Sequence, residues 1–239
     1  MLSNNIIEII FINFTFISLS LYSIILSFYL IEKFKNKKYT NLYKCQPKRI
    51  DYSNIYCKLK ICIRNILLII IFNSVGLYYF RNLFINNVYN LNLYEYIKTV
   101  LIDIGVVLLF DDFLFYLFHR LMHYNKWLFN NFHSMHHEAL SPLPIDILYV
   151  SIPELFFVLF STFLAILIRG GILPFSFVIF TIIKQLHEIS IHSGIKSIKL
   201  IKKIPFYGTN EHHDNHHKML KGNYASTFNI WDKIFNTEI

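Results

Sequence analysis

The sequence predicts an all-α, multi-pass membrane protein, and three observations predict it. Hydrophobic residues make up 54% of the 239 residues and charged residues only 16%, with a mean hydropathy of +0.42, well above what soluble domains show. The apolar residues gather into runs long enough to cross a ~30 Å hydrocarbon layer as helices rising ~1.5 Å per residue. The basic residues behind the net charge of +8 stand beside those runs and are not interleaved with aromatics. That pattern speaks for orientation in a bilayer and against a nucleic-acid partner.

Taken in order, residues 6–31 form the first apolar run, too long for a cleaved signal. Residues 32–64 carry Lys33, Lys35, Lys37, Lys38, Lys44, Lys48, Arg49, Lys58, Lys60 and Arg64 against two acids. Such a loop is expected on the cytoplasmic side. Residues 65–84 read as a second span and 96–118 as a third. Residues 146–168 and 172–191 form a final pair joined by Arg169-Gly170-Gly171, a connection short enough for an antiparallel helical hairpin. About four to five transmembrane helices result, with residues 1–95 as N-terminal spans plus the basic loop and 96–239 as a second domain. The three cysteines, Cys45, Cys57 and Cys62, have no CxxC spacing and are expected to be free thiols.

All eleven histidines fall between residues 119 and 217. His119 and His123 are four apart at the end of an expected helix, so both rings share a face. His133, His136 and His137 stand at i, i+3 and i+4, and His213, His216 and His217 repeat that spacing. Three crossings precede the first two groups, and a hairpin separates them from the last. All three groups therefore emerge on one membrane face. Eight imidazoles exceed what one tetrahedral ion needs and suit two ions held close together, in a helical cap on the cytosolic side. The bland alternative is a histidine face touching lipid headgroups. An HEXXH protease motif is absent, since no histidine follows three residues after Glu138.

Asp111 and Asp112 lie near the end of an apolar span, where a carboxylate is costly unless it is paired or serves a site. Asp112, Tyr116 and His119 recur on one helical face. The expectation is that Asp112 orients a ligand imidazole through its other ring nitrogen; the alternative is a pair of acids facing water.

These residues resemble a known family. Asp112 through His123 fits the DxxxYxxHRxxH pattern of the fatty acid hydroxylase/sterol desaturase superfamily. His133-Ser-Met-His136-His137-Glu138 is similar to its second box, and His192-Ser193-Gly194 to the segment after its last membrane hairpin. Glu211 through His217, with Gly222 to Ser226 and Trp231-Asp232, resembles the last box of C-4 methylsterol oxidases. The resemblance covers residues 100 to 239. It implies a membrane-bound non-haem oxygenase with two iron ions that hydroxylates or further oxidises a lipid C–H bond with dioxygen. A C-4 methyl sterol oxidation is the leading expectation, with a fatty-acyl hydroxylase or desaturase as the alternative. Electrons would come from NAD(P)H through a separate carrier such as cytochrome b5, and the setting would be the endoplasmic reticulum with the site facing the cytoplasm.

Carried over by position, the implied metal ligands, which are also the catalytic residues, are His119, His123, His133, His136, His137, His213, His216 and His217, joined by His192 as a further ligand. His187 stands where sterol oxidases carry an acid and is held as a tenth ligand or a supporting residue. Glu188, its neighbour, supplies that acid, and His212 and Asp214 are expected to support the ligands beside them. A membrane metal transporter and a catalytically inactive family member are the competing readings.

Overall fold

The computed structural model describes residues 2–46, 55–84 and 91–239, with helix throughout and, among the described residues, only isolated β-bridges. The helices are α1 (Leu2–Phe34), α2 (Lys37–Tyr43), α3 (Ile55–Tyr79), α4 (Leu93–Tyr124), the single turn α5 (Lys126–Leu128), α6 (Ile152–Arg169), α7 (Pro174–Ile191), α8 (Asn210–Met219) and α9 (Ile230–Ile234). Among them α1 from Ile7, α3 and α6 are long and apolar enough to cross a membrane. The four to five crossings expected are not matched by composition. α4 carries Asp103, Asp111 and Asp112 within its apolar stretch, all buried inside the bundle. α7 carries Lys184, Gln185, His187 and Glu188 in its second half.

Three boundaries move, the first for a physical reason. The basic loop expected to run to residue 64 is helical from Ile55, and α3 ends at Tyr79 rather than Phe84. Lysine and arginine stems lie along a helix while their charges reach polar partners: Lys58 Nζ meets Asp146 at 2.6 Å and Arg64 donates to Asn65. Lys48 and Arg49 lie outside the described residues. Asp146, expected to open a span, sits in a 3-10 turn (Pro144–Ile147), and α6 starts only at Ile152 behind the N-cap Ser151.

The packing is inside-out. Ile7, Ile10, Phe14, Leu21 and Ile25 of α1 and Ile63, Leu67 and Ile71 of α3 are exposed, as lipid-facing positions should be. The inward faces carry small and polar residues: Asn13, Ser20, Ser23 and Ser27 are buried, which lets helices approach closely. These residues also satisfy the backbone of the segment crossing the top of the bundle. Ser27 Oγ accepts from Ile145 N at 2.7 Å, and Asn65 Nδ2 donates to the Leu148 and Val150 carbonyls at 2.9 Å each. Around them Phe16, Leu30, Cys62, Ile69, Ile145, Leu148 and Leu155 form the largest apolar cluster.

α4 is the central post. Its N-terminus is closed by a capping box between Asn92 and Glu95, and it packs along the α6–α7 hairpin. That hairpin turns at Gly170 and Gly171, whose φ of 79° and 112° lie where a side chain is strained. Asp103 fastens the turn by pairing with Arg169 at 2.9 Å and accepting from Leu173 N at 3.0 Å. The end of α4, the start of α6 and the end of α7 therefore meet at one layer, and α8 lies across it.

Candidate metal centre

Nine histidines converge at that layer in two adjacent groups. His119, His123, His133, His137 and His216 form one, and His136, His192, His213 and His217 the other, with the nitrogens of each group within 4.8 Å of one another. His119 and His123 come from the last two turns of α4. His133 closes a π turn (Phe129–His133), and His136 and His137 open a 3-10 turn (His136–Glu138). The i, i+3, i+4 spacing at 133–137, which on a helix would give one face, is thus carried by two irregular turns. His192 caps the end of α7, and α8, N-capped by the Thr209 hydroxyl, supplies His213, His216 and His217.

Each HxxHH motif is split in the same way. Its i and i+4 histidines join one group and its i+3 histidine joins the other: His133 and His137 against His136, and His213 and His217 against His216. The two motifs cross, so neither group is complete without both.

The Nε2 atoms face inward. In the first group His119 and His133 lie 2.9 Å apart, His133 and His137 2.9 Å, His123 and His137 3.0 Å, and His137 and His216 3.2 Å. In the second, His192 and His213 lie 3.0 Å apart, His213 and His217 3.1 Å, and His136 and His192 3.5 Å. On the far side of the rings, Nδ1 of His119 donates to the Tyr224 carbonyl at 2.7 Å, and that of His216 to Gly222 at 2.7 Å. Nδ1 of His217 donates to Ala139 at 2.9 Å, and that of His192 to Glu188 at 2.9 Å. A carbonyl only accepts, so these Nδ1 atoms carry the ring proton and the Nε2 atoms are bare lone pairs. Burial first, and neighbouring imidazoles second, hold His133, His136, His137, His213 and His217 well below the usual histidine range; His216 falls to about 4, with burial again the main cause.

The rings of His119, His192, His216 and His217 thus aim bare Nε2 lone pairs into the two groups. A cation in each group would engage them together with the neighbouring imidazoles. Nitrogens bound at ~2.1 Å and at right angles would stand roughly 3.0 Å apart, which is the spacing found. The donor set therefore fits two metal ions, and all-imidazole ligation suits iron, zinc or copper.

The remaining expected site residues fall out differently. His187 is not brought to either group. Its Nδ1 meets the Tyr207 hydroxyl at 2.7 Å and its Nε2 the Ser226 carbonyl at 3.1 Å, so both nitrogens are already committed. Asp112 does not orient His119, because seven residues along a helix is about 10.5 Å. It accepts instead from Thr227 N, Phe228 N and Trp231 Nε1 at 2.7–2.9 Å. Tyr116 likewise meets Thr237 Oγ1 and Arg120, each at 3.1 Å. Glu188 lies 3.7 Å from His192 Nδ1 and accepts from the Ser226 hydroxyl. His212 Nε2 lies 3.2 Å from Asp232. Asp214, raised to about 6 by burial, faces Gln46 and Lys44 and touches no ligand ring.

Several contributors escaped sequence reasoning. Glu154, at the start of α6, meets His133 Nδ1 at 2.8 Å, the carboxylate–imidazole contact expected of Asp112. Its signal is the same one, a carboxylate in an apolar run. The Gly222, Tyr224 and Ala139 carbonyls have no sequence signal. The loop supplying two of them is riveted by Asp112 and by Asp232, which accepts from Tyr224 N and Ala225 N at 2.9 Å. Gly222 has φ 67°, and a Cβ there would stand 2.7 Å from the Thr237 carbonyl.

Below the histidines an apolar cavity of about 220 Å³ runs between α1, α3, α4, α6 and α7. His119, His133, His136, His192 and His213 stand at its head, and Phe16, Ile69, Phe115, Leu155 and Phe180 are among its walls.

Known proteins are similar to this chain over somewhat more than half of its length. A methylsterol monooxygenase 2-2 from Arabidopsis thaliana is 34% identical over 145 residues, covering 59% of this chain and 54% of that one. A very-long-chain aldehyde decarbonylase, GL1-11, from Oryza sativa subsp. indica is 35% identical over 132 residues, covering 54% and 49%. Methylsterol monooxygenase 1 from Rattus norvegicus is 34% identical over 132 residues, covering 54% and 44%. The chain thus spans about half the length of the curated relatives it matches. No solved structure matches. The family profile described as fatty acid hydroxylase matches residues 104–237, from mid-α4 past α9. That stretch holds all nine converging histidines, and the chain belongs to the fatty acid hydroxylase family.

Proposed function

We propose that this chain is a membrane-bound oxygenase that hydroxylates or further oxidises a C–H bond of a lipid, with a sterol as the favoured substrate class. The observation that carries the reading is the pair of crossed histidine groups at the head of an apolar cavity. The two ions are proposed to be iron, which when bound supplies the dioxygen activation that an unactivated C–H bond requires. His119, His123, His133, His137 and His216 would hold one, and His136, His192, His213 and His217 the other.

The chain's own residues do the rest. Carbonyls of Tyr224, Gly222, Ala139 and Glu188 keep the protons on Nδ1, so that Nε2 stays free to ligate. Glu154 sets the plane of His133. The apolar wall strips water from the reacting end of the lipid and holds it against the histidines, which is a positioning effect. Reducing equivalents from NAD(P)H would arrive through a separate carrier such as cytochrome b5, on a face we place in the cytoplasm, at the endoplasmic reticulum.

A second reading takes a straight-chain lipid, because relatives named for very-long-chain aldehydes match as well as those named for methylsterols. Expression in a host lacking sterol C-4 oxidation, with mass spectrometry of its lipids, separates the two. Oxidised or demethylated sterols support the first reading; modified acyl chains or aldehydes with unchanged sterols support the second. Metal analysis of the purified protein should find two equivalents, and one labile ion without oxygen consumption would instead favour a transporter.

A further inference from the structure

Inside the cavity wall lies a charged group that the metal centre does not use. Lys184 of α7 pairs with Asp111 of α4, and Asp111 also accepts from Ser161 at 3.2 Å and Thr162 at 2.6 Å on α6. Asp111 is enclosed, while the Lys184 side chain keeps 16% of its surface open and, with Thr162 and Thr181, lines the cavity. An ammonium carries three N–H donors. Among the described residues Lys184 has Asp111 as its hydrogen-bond partner and the Phe180 ring 5.9 Å away, so donors remain for a cavity occupant. Thr181, three residues before Lys184 and so on the same helical face, gives its proton to the Phe177 carbonyl at 2.8 Å. Its lone pairs are left to accept.

The position of this group is fixed from three helices at once. Asp111 precedes His119 by eight residues on α4, Thr162 follows Glu154 by eight on α6, and Lys184 precedes His192 by eight on α7. At ~1.5 Å per residue each separation is about 12 Å. The charged group therefore forms a layer two helical turns from the histidines, with Glu188 lining the cavity one turn nearer to them on α7.

We propose that Lys184, neutralised by Asp111, and Thr181 bind a hydroxyl oxygen of the lipid substrate: Lys184 donates to it and Thr181 accepts from it. The ion pair is neutral overall, so the site suits an uncharged alcohol better than a carboxylate. This deepens the lipid-oxidation reading, on which it rests, by naming the polar group the substrate carries. It also has a consequence for regiochemistry. A hydroxyl held in this layer presents a carbon about 12 Å away to the histidines, so C-4 demethylation of a 3-hydroxysterol by this chain would overturn the hydroxyl site while leaving sterol oxidation standing.

The test is equilibrium binding to the purified, metal-loaded full chain in lipid nanodiscs, using two matched pairs: cholesterol against cholestane, and 1-hexadecanol against hexadecane. The expected result is a preference of about tenfold for the alcohol within whichever pair binds, lost in Asp111→Leu/Lys184→Met and reduced in Thr181→Val. The double substitution leaves no unpaired buried charge, and a retained content of two metal equivalents shows that the histidine layer is intact. If it does not fold, Thr181→Val alone carries the test. Equal binding of alcohol and alkane by the native chain, or a preference unchanged by the substitutions, overturns the hydroxyl site while leaving lipid oxidation standing. Binding of none of the four probes overturns both.

Discussion

Two stretches of this chain share one histidine spacing and not one backbone. Residues 213–217 lie on a regular helix, α8, whereas residues 133–137 pass through a π turn and a 3-10 turn. Both nevertheless send i and i+4 to one group and i+3 to the other. On the regular helix α8 successive positions turn by about 100°, which swings His216 away from His217. A continuous 3-10 winding would instead eclipse i and i+3, so the π turn ending at His133 and the turn opening at His136 reach the same division by a different path. What differs is support. α8 is held by its own cap, its Gly222 turn and the Asp232 loop. The 133–137 segment borrows its order from α6 and the segment before it, through Glu154 on His133, the Ser151 hydroxyl on the Phe132 carbonyl at 2.6 Å, and Tyr149 on Glu138 at 2.8 Å.

The largest test of the crossing removes each swung-aside histidine. His136→Ala takes one of four ligands from its group, and His216→Ala one of five from the other. His136→Ala is expected to lose one metal equivalent and all detectable turnover, while His216→Ala keeps part of its second equivalent. Metal stoichiometry on the purified variants checks this. An unchanged content in both would remove them as ligands.

Acid acts on both stretches together. His133, His136, His137, His213, His216 and His217 are held below their unfolded value of ~6.5, His216 at about 4. Below ~6.5 the unfolded chain takes up protons that the folded one refuses. Metal-free protein should therefore be stable above that pH and lose roughly 1.4 kcal/mol per pH unit per histidine as pH falls toward the folded values. A denaturant midpoint that stays flat from pH 7 to 5 in chelator-treated protein would contradict the neutral cluster.

The unequal support predicts unequal damage. Glu154→Gln should lower metal affinity of the five-histidine group by about 10- to 100-fold, with the other group unaffected. Gly222→Ala strikes α8 instead. Its φ of 67° and the clash with the Thr237 carbonyl should cost about 1–3 kcal/mol and displace the carbonyl that holds His216. A fall in thermal midpoint with both metals retained would show that the turn matters to folding alone.

How far the sequence foretold this follows the same division. The histidine pairs and the apolar helices were legible, because each is a local pattern with a fixed period. The π turn at 129–133 was not, since nothing in Phe129-Asn-Asn-Phe-His133 separates five-residue from four-residue winding. The carbonyls behind His119 and His216 were invisible because every residue has one. Asp112 and Glu154 show a subtler limit. Both were costly acids in apolar runs, and periodicity gave Asp112 the right face. The helical rise put it two turns from the ring it was expected to hold, while the acid that does reach a ring comes from another helix.

The smallest effect gives the cleanest comparison between the two supports. Ser151 and Thr209 are both N-caps, accepting from Glu154 N and His212 N at 3.2 Å. Replacing either by Ala should cost about 1 kcal/mol in cap energy. Ser151 also donates to Phe132, next to His133, whereas the Thr209 hydroxyl makes its side-chain contact within the start of its own helix. Thermal midpoints of both variants should then fall, further for Ser151→Ala because the Phe132 bond is lost too, but only Ser151→Ala should speed metal loss to a chelator, and only from the five-histidine group. Equal chelation rates would mean that the π turn holds His133 without help from α6, and the difference in support drawn between the two stretches would be one of backbone class after all.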